Sequence, residues 1–207
     1  MTSALVLGRS LPAFLHAHRL PAAFYRRDCA AVARDLLGAI LVRREGDRII
    51  AGTIVENEAY YGGDDPASHA YRGRTPRNAP MFGPAGHAYV YFVYGNHHML
   101  NAVCGEKGEA AAVLIRALAP LAGFERMRRR RGVARDRDLA NGPGRLTHAL
   151  GIGAAQNGVS LAGRELFVCA PWARRGVVAR TKRVGIAGKS KARLRFYLKQ
   201  SAFVSRA

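Results

Sequence analysis

Apolar residues recur along this chain with two different periods, and the changes from one to the other outline its elements. Cys29, Val32, Ala33, Leu36 and Leu37 form a stripe at helical spacing. Asp28 suits the N-cap and Gly38 the terminus, so a helix is predicted over 28–38. Ala39 to Val42 then enters a strand, and Glu45-Gly46-Asp47 is turn chemistry. A long strand rich in Ile, Val, Thr and Tyr is predicted over 48–61. Residues 62–78 are polar, with Gly, Pro and Asp, and predict a loop of a length that is usually functional. Strands at 89–94, 98–103 and 112–118 follow as a meander, separated by turns at Gly95-Asn96 and 105–108. A helix is predicted over 120–131 and a short one over 143–150, with Pro143 in its first turn and Gly151 after it. Late strands are predicted at 164–169, 177–184 and 194–198. Strands cluster without strict alternation with helices, which predicts an α+β fold with a largely antiparallel sheet.

Composition adds a partner class. The 207 residues carry 33 Lys and Arg against 14 Asp and Glu, a net charge of +19. Such a surface attracts polyanions, and the dominance of Arg suits phosphate recognition. A generic basic protein has the same composition, so charge alone goes no further. Cys29, Cys104 and Cys169 lie far apart with no zinc spacing, as expected of reduced core thiols in a cytoplasmic protein. No apolar run reaches membrane-spanning length, and the first residues lack the basic start of a signal peptide.

Within the long strand, period-two alternation puts Ile54, Glu56, Glu58 and Tyr60 on one face. Acids are scarce here, and a carboxylate beside an aromatic and ahead of a long loop is a candidate general base. A solvated strand face with Tyr at its edge is the commoner use of the same pattern. Tyr89 and Tyr91 share a strand face and Tyr94 stands at a hairpin tip. They suit either base stacking and wedging or a cross-strand aromatic cluster in the core. His69 follows Asp64 and Asp65, but the spacing matches no metal motif. His97 and His98 are adjacent and face opposite ways. Gly142-Pro143-Gly144 is turn chemistry without a phosphate-loop signature.

Taken in order, these residues resemble the alkyladenine (3-methyladenine) DNA glycosylase family. Val55-Glu56-Asn57-Glu58-Ala59-Tyr60 is similar to its "V-E-x-E-A-Y" strand, and 65–69 to the acidic stretch ending in its active-site His. Thr75-Pro76-Arg77-Asn78 with Met81-Phe82, the 89–101 hairpin, 113–121, Asn141-Gly142-Pro143 and Leu194-Arg195-Phe196-Tyr197 continue the match. The resemblance runs over about 20–205 in one register, leaving 1–19 as a variable arm and 20–207 as the glycosylase domain. It implies a single compact domain with a curved sheet flanked by helices. It further implies a monomer that flips damaged purines from duplex DNA and hydrolyses the glycosidic bond without a lyase step, cofactor or metal. Glu58 is then the general base, Arg116 and the carbonyl near Val184 hold the water, and Tyr60 and Tyr91 sandwich the base. His69 completes the pocket, Asn101 lines its floor, and Tyr94 fills the gap in the duplex. Asn96 departs from the family, where Met is frequent after the wedge, and 185–195 is shorter than in many relatives. The rivals are a non-enzymatic basic nucleic-acid binder, an RNA-processing protein and a small-molecule glycosidase. The first explains the charge and the aromatics, but not Glu58.

Overall fold

The computed structural model describes residues 11–186 and 190–206. Two short helices, α1 (Leu11–Ala17) and α2 (Ala22–Tyr25), precede α3 (Cys29–Asp35). The Asp28 carboxylate caps α3 by accepting from the Ala31 amide at 2.9 Å, and the apolar stripe of that helix is buried. The first ten residues of the expected arm lie outside the described residues. Its remainder forms α1, whose Phe14 and Leu15 pack with Ile40, Val42, Ala51 and Phe167.

Among the described residues the sheet holds eight strands. They are β1 (Ile40–Glu45), β2 (Arg48–Tyr60), β3 (Ala88–Val93), β4 (His97–Val103), β5 (Ala112–Ala122), β6 (Leu166–Cys169), β7 (Val178–Thr181) and β8 (Arg195–Leu198). Neighbours run β3-β4-β5-β2-β1-β6, with β8 pairing to β2 and β7 to β8, and every pairing is antiparallel. The α+β expectation therefore holds. β2 is the axis of the sheet. One edge pairs with β5; the other pairs first with β1 over Arg48 to Thr53, then with β8 over Glu56 to Glu58.

Between those two partners β2 is irregular. Ile54 pairs with Leu118, Glu56 with Ala117 and Asn57 with Ile115, so Val55 is extra on β2 and Arg116 is extra on β5. The pleat therefore slips by one residue. Ile54 packs with Leu36, Leu37 and Ala59 in the core beneath α3, whereas Glu56, Glu58 and Tyr60 occupy the opposite face. The expectation that Ile54 shares their face fails because strict alternation cannot see a bulge.

The helix predicted over 120–131 is also corrected. β5 continues through Pro120, which pairs with Gly52 at another register shift, and α4 (Phe124–Arg131) begins only after Gly123. Proline fits a strand at such an irregularity because its missing donor costs no ladder bond there. The run Arg128 to Arg131 is not a free cationic face. Arg128 pairs with Glu125 and Asp136, Arg130 with Glu45, and Arg131 donates to the Leu139 carbonyl. Helix α5 (Pro143–Leu150) lies on β4, where the Thr147 hydroxyl donates to the His98 carbonyl at 2.7 Å. β7 ends at Thr181, short of the predicted 184, and this frees the next residues to turn toward β2. Among the described residues no helix is long and apolar enough to cross a membrane.

Gly123 makes the strand-to-helix corner at φ +80, and a Cβ there would stand 2.9 Å from both the Ile49 oxygen and the Ile50 Cα. Gly123→Ala is expected to destabilise the fold by about 2 kcal/mol or more, read as a lower urea midpoint at constant slope. An unchanged midpoint would show that this corner can relax.

Candidate active site

The face of β2 turned away from α3 forms the floor of a cavity of about 590 Å³. Tyr60, His69, Tyr91, Tyr94, Asn101, Arg116 and Val184 all line it, together with Pro66, Ala67, Ser68, Met99, Pro143 and Arg206. Glu58 lies just behind this lining, with no exposed surface. The loop over 62–78 supplies one wall, the β3–β4 hairpin another, and the turn after β7 closes the third.

Two carboxylates are buried side by side at this floor, and their surroundings differ. Glu56 accepts from Arg116 Nε (3.1 Å), Arg195 Nε (2.7 Å), the Ser205 amide (2.6 Å) and the Ser205 hydroxyl (3.0 Å). Three of those donors crowd Oε1 and one reaches Oε2, and of the residues that supply them only Arg116 lines the cavity. Glu58 accepts from Tyr60 Oη at 2.9 Å and Arg116 Nη1 at 3.2 Å through Oε2, and from the Val184 amide at 2.7 Å through Oε1. About one acceptor site is left on Glu58, directed among cavity-lining partners. Glu56 thus faces Arg195 and Ser205, away from the cavity, whereas every donor to Glu58 lines the cavity, which makes Glu58 the carboxylate placed to take a proton from a water there. Arg116 ties the two together, one end of its guanidinium on each.

The aromatic walls are fixed by polar contacts. The Tyr60 hydroxyl is held by Glu58, and its ring carries the Arg183 guanidinium 4.4 Å from its centroid. Tyr91 meets the His69 ring edge-on at 4.4 Å, and Arg77 lies 5.6 Å from the Tyr91 centroid. Tyr89 is almost fully buried and shares a hydrogen bond of 2.9 Å with His69 Nδ1. Burial pushes the phenols of Tyr89 and Tyr91 up to about 12, so both stay neutral. The same effect lowers the His69 pKa, with the charge of Arg77 acting in the same direction, so its ring is neutral. Asn101 is held by a bond from Nδ2 to the Tyr89 carbonyl at 3.0 Å.

Tyr94 stands apart from these packed rings. It is 82% exposed at the β3–β4 tip and has φ +55, the one positive φ on a non-glycine residue among those described. A left-handed tyrosine costs roughly 1–2 kcal/mol. Gly95 beside it also has positive φ, and the Asn96 amide closes the turn on the Val93 carbonyl at 3.4 Å. His97 and His98 do face apart, His97 against Gly144 and His98 against Phe92. Among the described residues no group of three His, Cys, Asp or Glu side chains gathers to hold a metal.

Some parts of the site escaped the sequence reading. The roles of Arg195 and Ser205 depend on β8 lying against β2, which no local pattern announces. Arg183 grips Asp65 with two bonds of 2.5 and 2.6 Å, both side chains nearly enclosed. Only the adjacency of Arg183 to Val184 could have marked it.

The chain matches a family described as methylpurine-DNA glycosylase over residues 23–202. It is 52% identical over 191 residues to a protein of Methanoculleus marisnigri, covering 90% of this chain and 98% of that relative. It is 46% identical over 190 residues to one from Carboxydothermus hydrogenoformans, covering 90% and 98%. A Burkholderia lata protein is 59% identical over 145 residues, covering 70% of this chain and 69% of its own. The names of all three contain "3-methyladenine DNA glycosylase".

Because His69 is harder to protonate folded than unfolded, its contribution to stability is intact above its unfolded pKa of about 6.5 and is lost as pH falls below it. His69→Gln is expected to flatten the stability-versus-pH curve in that acid window. In NMR, the wild-type ring should remain neutral to lower pH than a free histidine.

Proposed function

The chain belongs to the methylpurine-DNA glycosylase family, and from that premise we propose that it draws damaged purines from duplex DNA into the cavity and hydrolyses their N-glycosidic bond. The observation that carries this reading is Glu58, a fully buried carboxylate bonded to three cavity-lining groups with one acceptor site to spare.

Glu58 takes a proton from a water as the water oxygen bonds to the anomeric carbon. The bond to the base breaks with its electron pair going to the base. The sugar passes through an oxocarbenium-like state, so the carboxylate also stabilises developing positive charge. Arg116 and the Val184 carbonyl hold the water. Tyr60 and Tyr91 stack the base, His69 closes the pocket through a hydrogen bond, and Asn101 obstructs the 2-amino group of normal guanine. Alkylated purines are electron-poor, stack well on tyrosine faces and leave readily, and damaged pairs cost less to flip. No lysine stands among the described residues lining the cavity, which favours a monofunctional reaction ending at an abasic site. Tyr94 fills the hole left in the duplex; its exposure and its unfavourable backbone at the hairpin tip support a wedge. The substrates are alkylated and deaminated purines, among them 3-methyladenine and hypoxanthine.

The test is release of free base from methylated duplex DNA and from a hypoxanthine-containing duplex, with EDTA present. Wild-type protein should release base, and Glu58→Gln should lower the single-turnover rate by about 100-fold or more while leaving DNA binding largely intact. Tight, salt-sensitive binding with no release from either substrate would instead mark a binding protein. Tyr94→Ser should weaken excision more than non-specific DNA binding. Unchanged excision in that variant would remove the wedge role.

A further inference from the structure

Asp65 and Arg183 form a bidentate ion pair whose side chains are 6% and 1% exposed. Burying two charges costs several kcal/mol per ion before their attraction is counted, so such a pair is weak evidence of stabilisation for its own sake. Burial alone would raise the Asp65 pKa, but the hydrogen bonds and charge of Arg183 outweigh it and hold the carboxyl below its ordinary value. The pair is therefore ionised across the neutral range.

Its connections point at the reaction site. Arg183 Nη1 also donates to the Ala59 carbonyl at 3.0 Å, between Glu58 and Tyr60 on β2. Its guanidinium stands over the Tyr60 ring, and Tyr60 and Val184 line the cavity while Arg183 does not. Val184, the next residue, donates its amide to Glu58. β7 has ended at Thr181, so 183–186 form a turn outside the strand ladder. Asp65, for its part, lies in the loop just ahead of Pro66 to His69, which line the cavity.

We propose that Arg183, clamped by Asp65, is a positioning residue: it presents the Val184 amide to Glu58, fixes the plane of Tyr60, and ties the loop carrying His69 to the catalytic carboxylate. This rests on the reading of Glu58 as the general base. An N–H donated to a carboxylate favours its ionised form, which a base must have. A planar fork is needed, because one side chain must meet both Asp65 oxygens and the Ala59 carbonyl while lying on a ring. A lysine ammonium cannot meet all of these demands.

The test uses the full chain and a hypoxanthine-containing duplex under single-turnover conditions, with Arg183→Lys, Arg183→Met and Asp65→Asn. Excision should fall about 10–100-fold, as for other groups that orient a reacting residue. Affinity for a duplex bearing an abasic-site analogue should change by no more than about threefold, since the interaction lost acts on the chemical step. Arg183→Lys should not restore the rate, because an ammonium cannot meet both Asp65 oxygens and the Ala59 carbonyl while lying on the Tyr60 ring. Arg183→Lys keeps the charge against Asp65 and carries the decision where Arg183→Met does not fold. A Lys variant with the wild-type rate would overturn the inference while leaving the glycosylase reading intact. Wild-type protein that releases no base overturns the reading of Glu58, and this inference with it.

Discussion

Two carboxylates buried two residues apart in one strand must be neutralised, and most of the architecture around the cavity serves that requirement. Glu56 and Glu58 have no exposed surface, and leaving either without a cation would cost several kcal/mol. Arg116 reaches both only because it is the extra residue of β5 at the point where Val55 is extra on β2. The bulge also marks where β2 exchanges β1 for β8, and β8 delivers Arg195 to Glu56. The chain then returns Ser205 to the same carboxylate. Bulge, strand exchange and C-terminal return are parts of one solution.

That solution divides labour between two chemically identical groups. Glu56 takes four donors, and of the residues that supply them only Arg116 borders the cavity, so it anchors β8 and Ser205 to β2 instead of facing a substrate. Glu58 shares Arg116 with it but keeps a site open among groups that face the cavity. Geometry therefore distinguishes the pair where alternation along the strand could not, since both residues sit on one face at equivalent positions.

The strands and α3 could be read from the sequence because each follows from its own local pattern: the periodic burial of Cys29 to Leu37, the β-rich run over 48–60, the meander from Ala88 to Leu118. The resemblance, carried by ordered motifs, named residues that do gather at one cavity. What remained hidden was non-local. Pro120 looks like a helix start until Gly52 is seen opposite it. Nothing in the Arg128 to Arg131 run announces that Glu125 and Asp136 pair with Arg128 and Glu45 with Arg130. Arg183 carries no pattern at all; its meaning comes from Asp65, more than a hundred positions away, and from the amide of its neighbour.

The same pairing has a consequence for the outer surface. With 14 acidic residues against 33 basic ones, each acid taken into the interior is one fewer to offset the field outside. Glu56, Glu58 and Asp65 are buried, and Asp35 and Glu45 are gripped by more than one arginine each. Arg116, Arg183 and Arg195 are buried with the first three, so the interior takes up both signs and the basic excess remains outside. A net charge of +19 attracts a phosphate backbone without regard to sequence or damage. On the reading proposed above, discrimination then arises after contact, at the cavity floor, where Glu58 lies behind Tyr60 and Arg116.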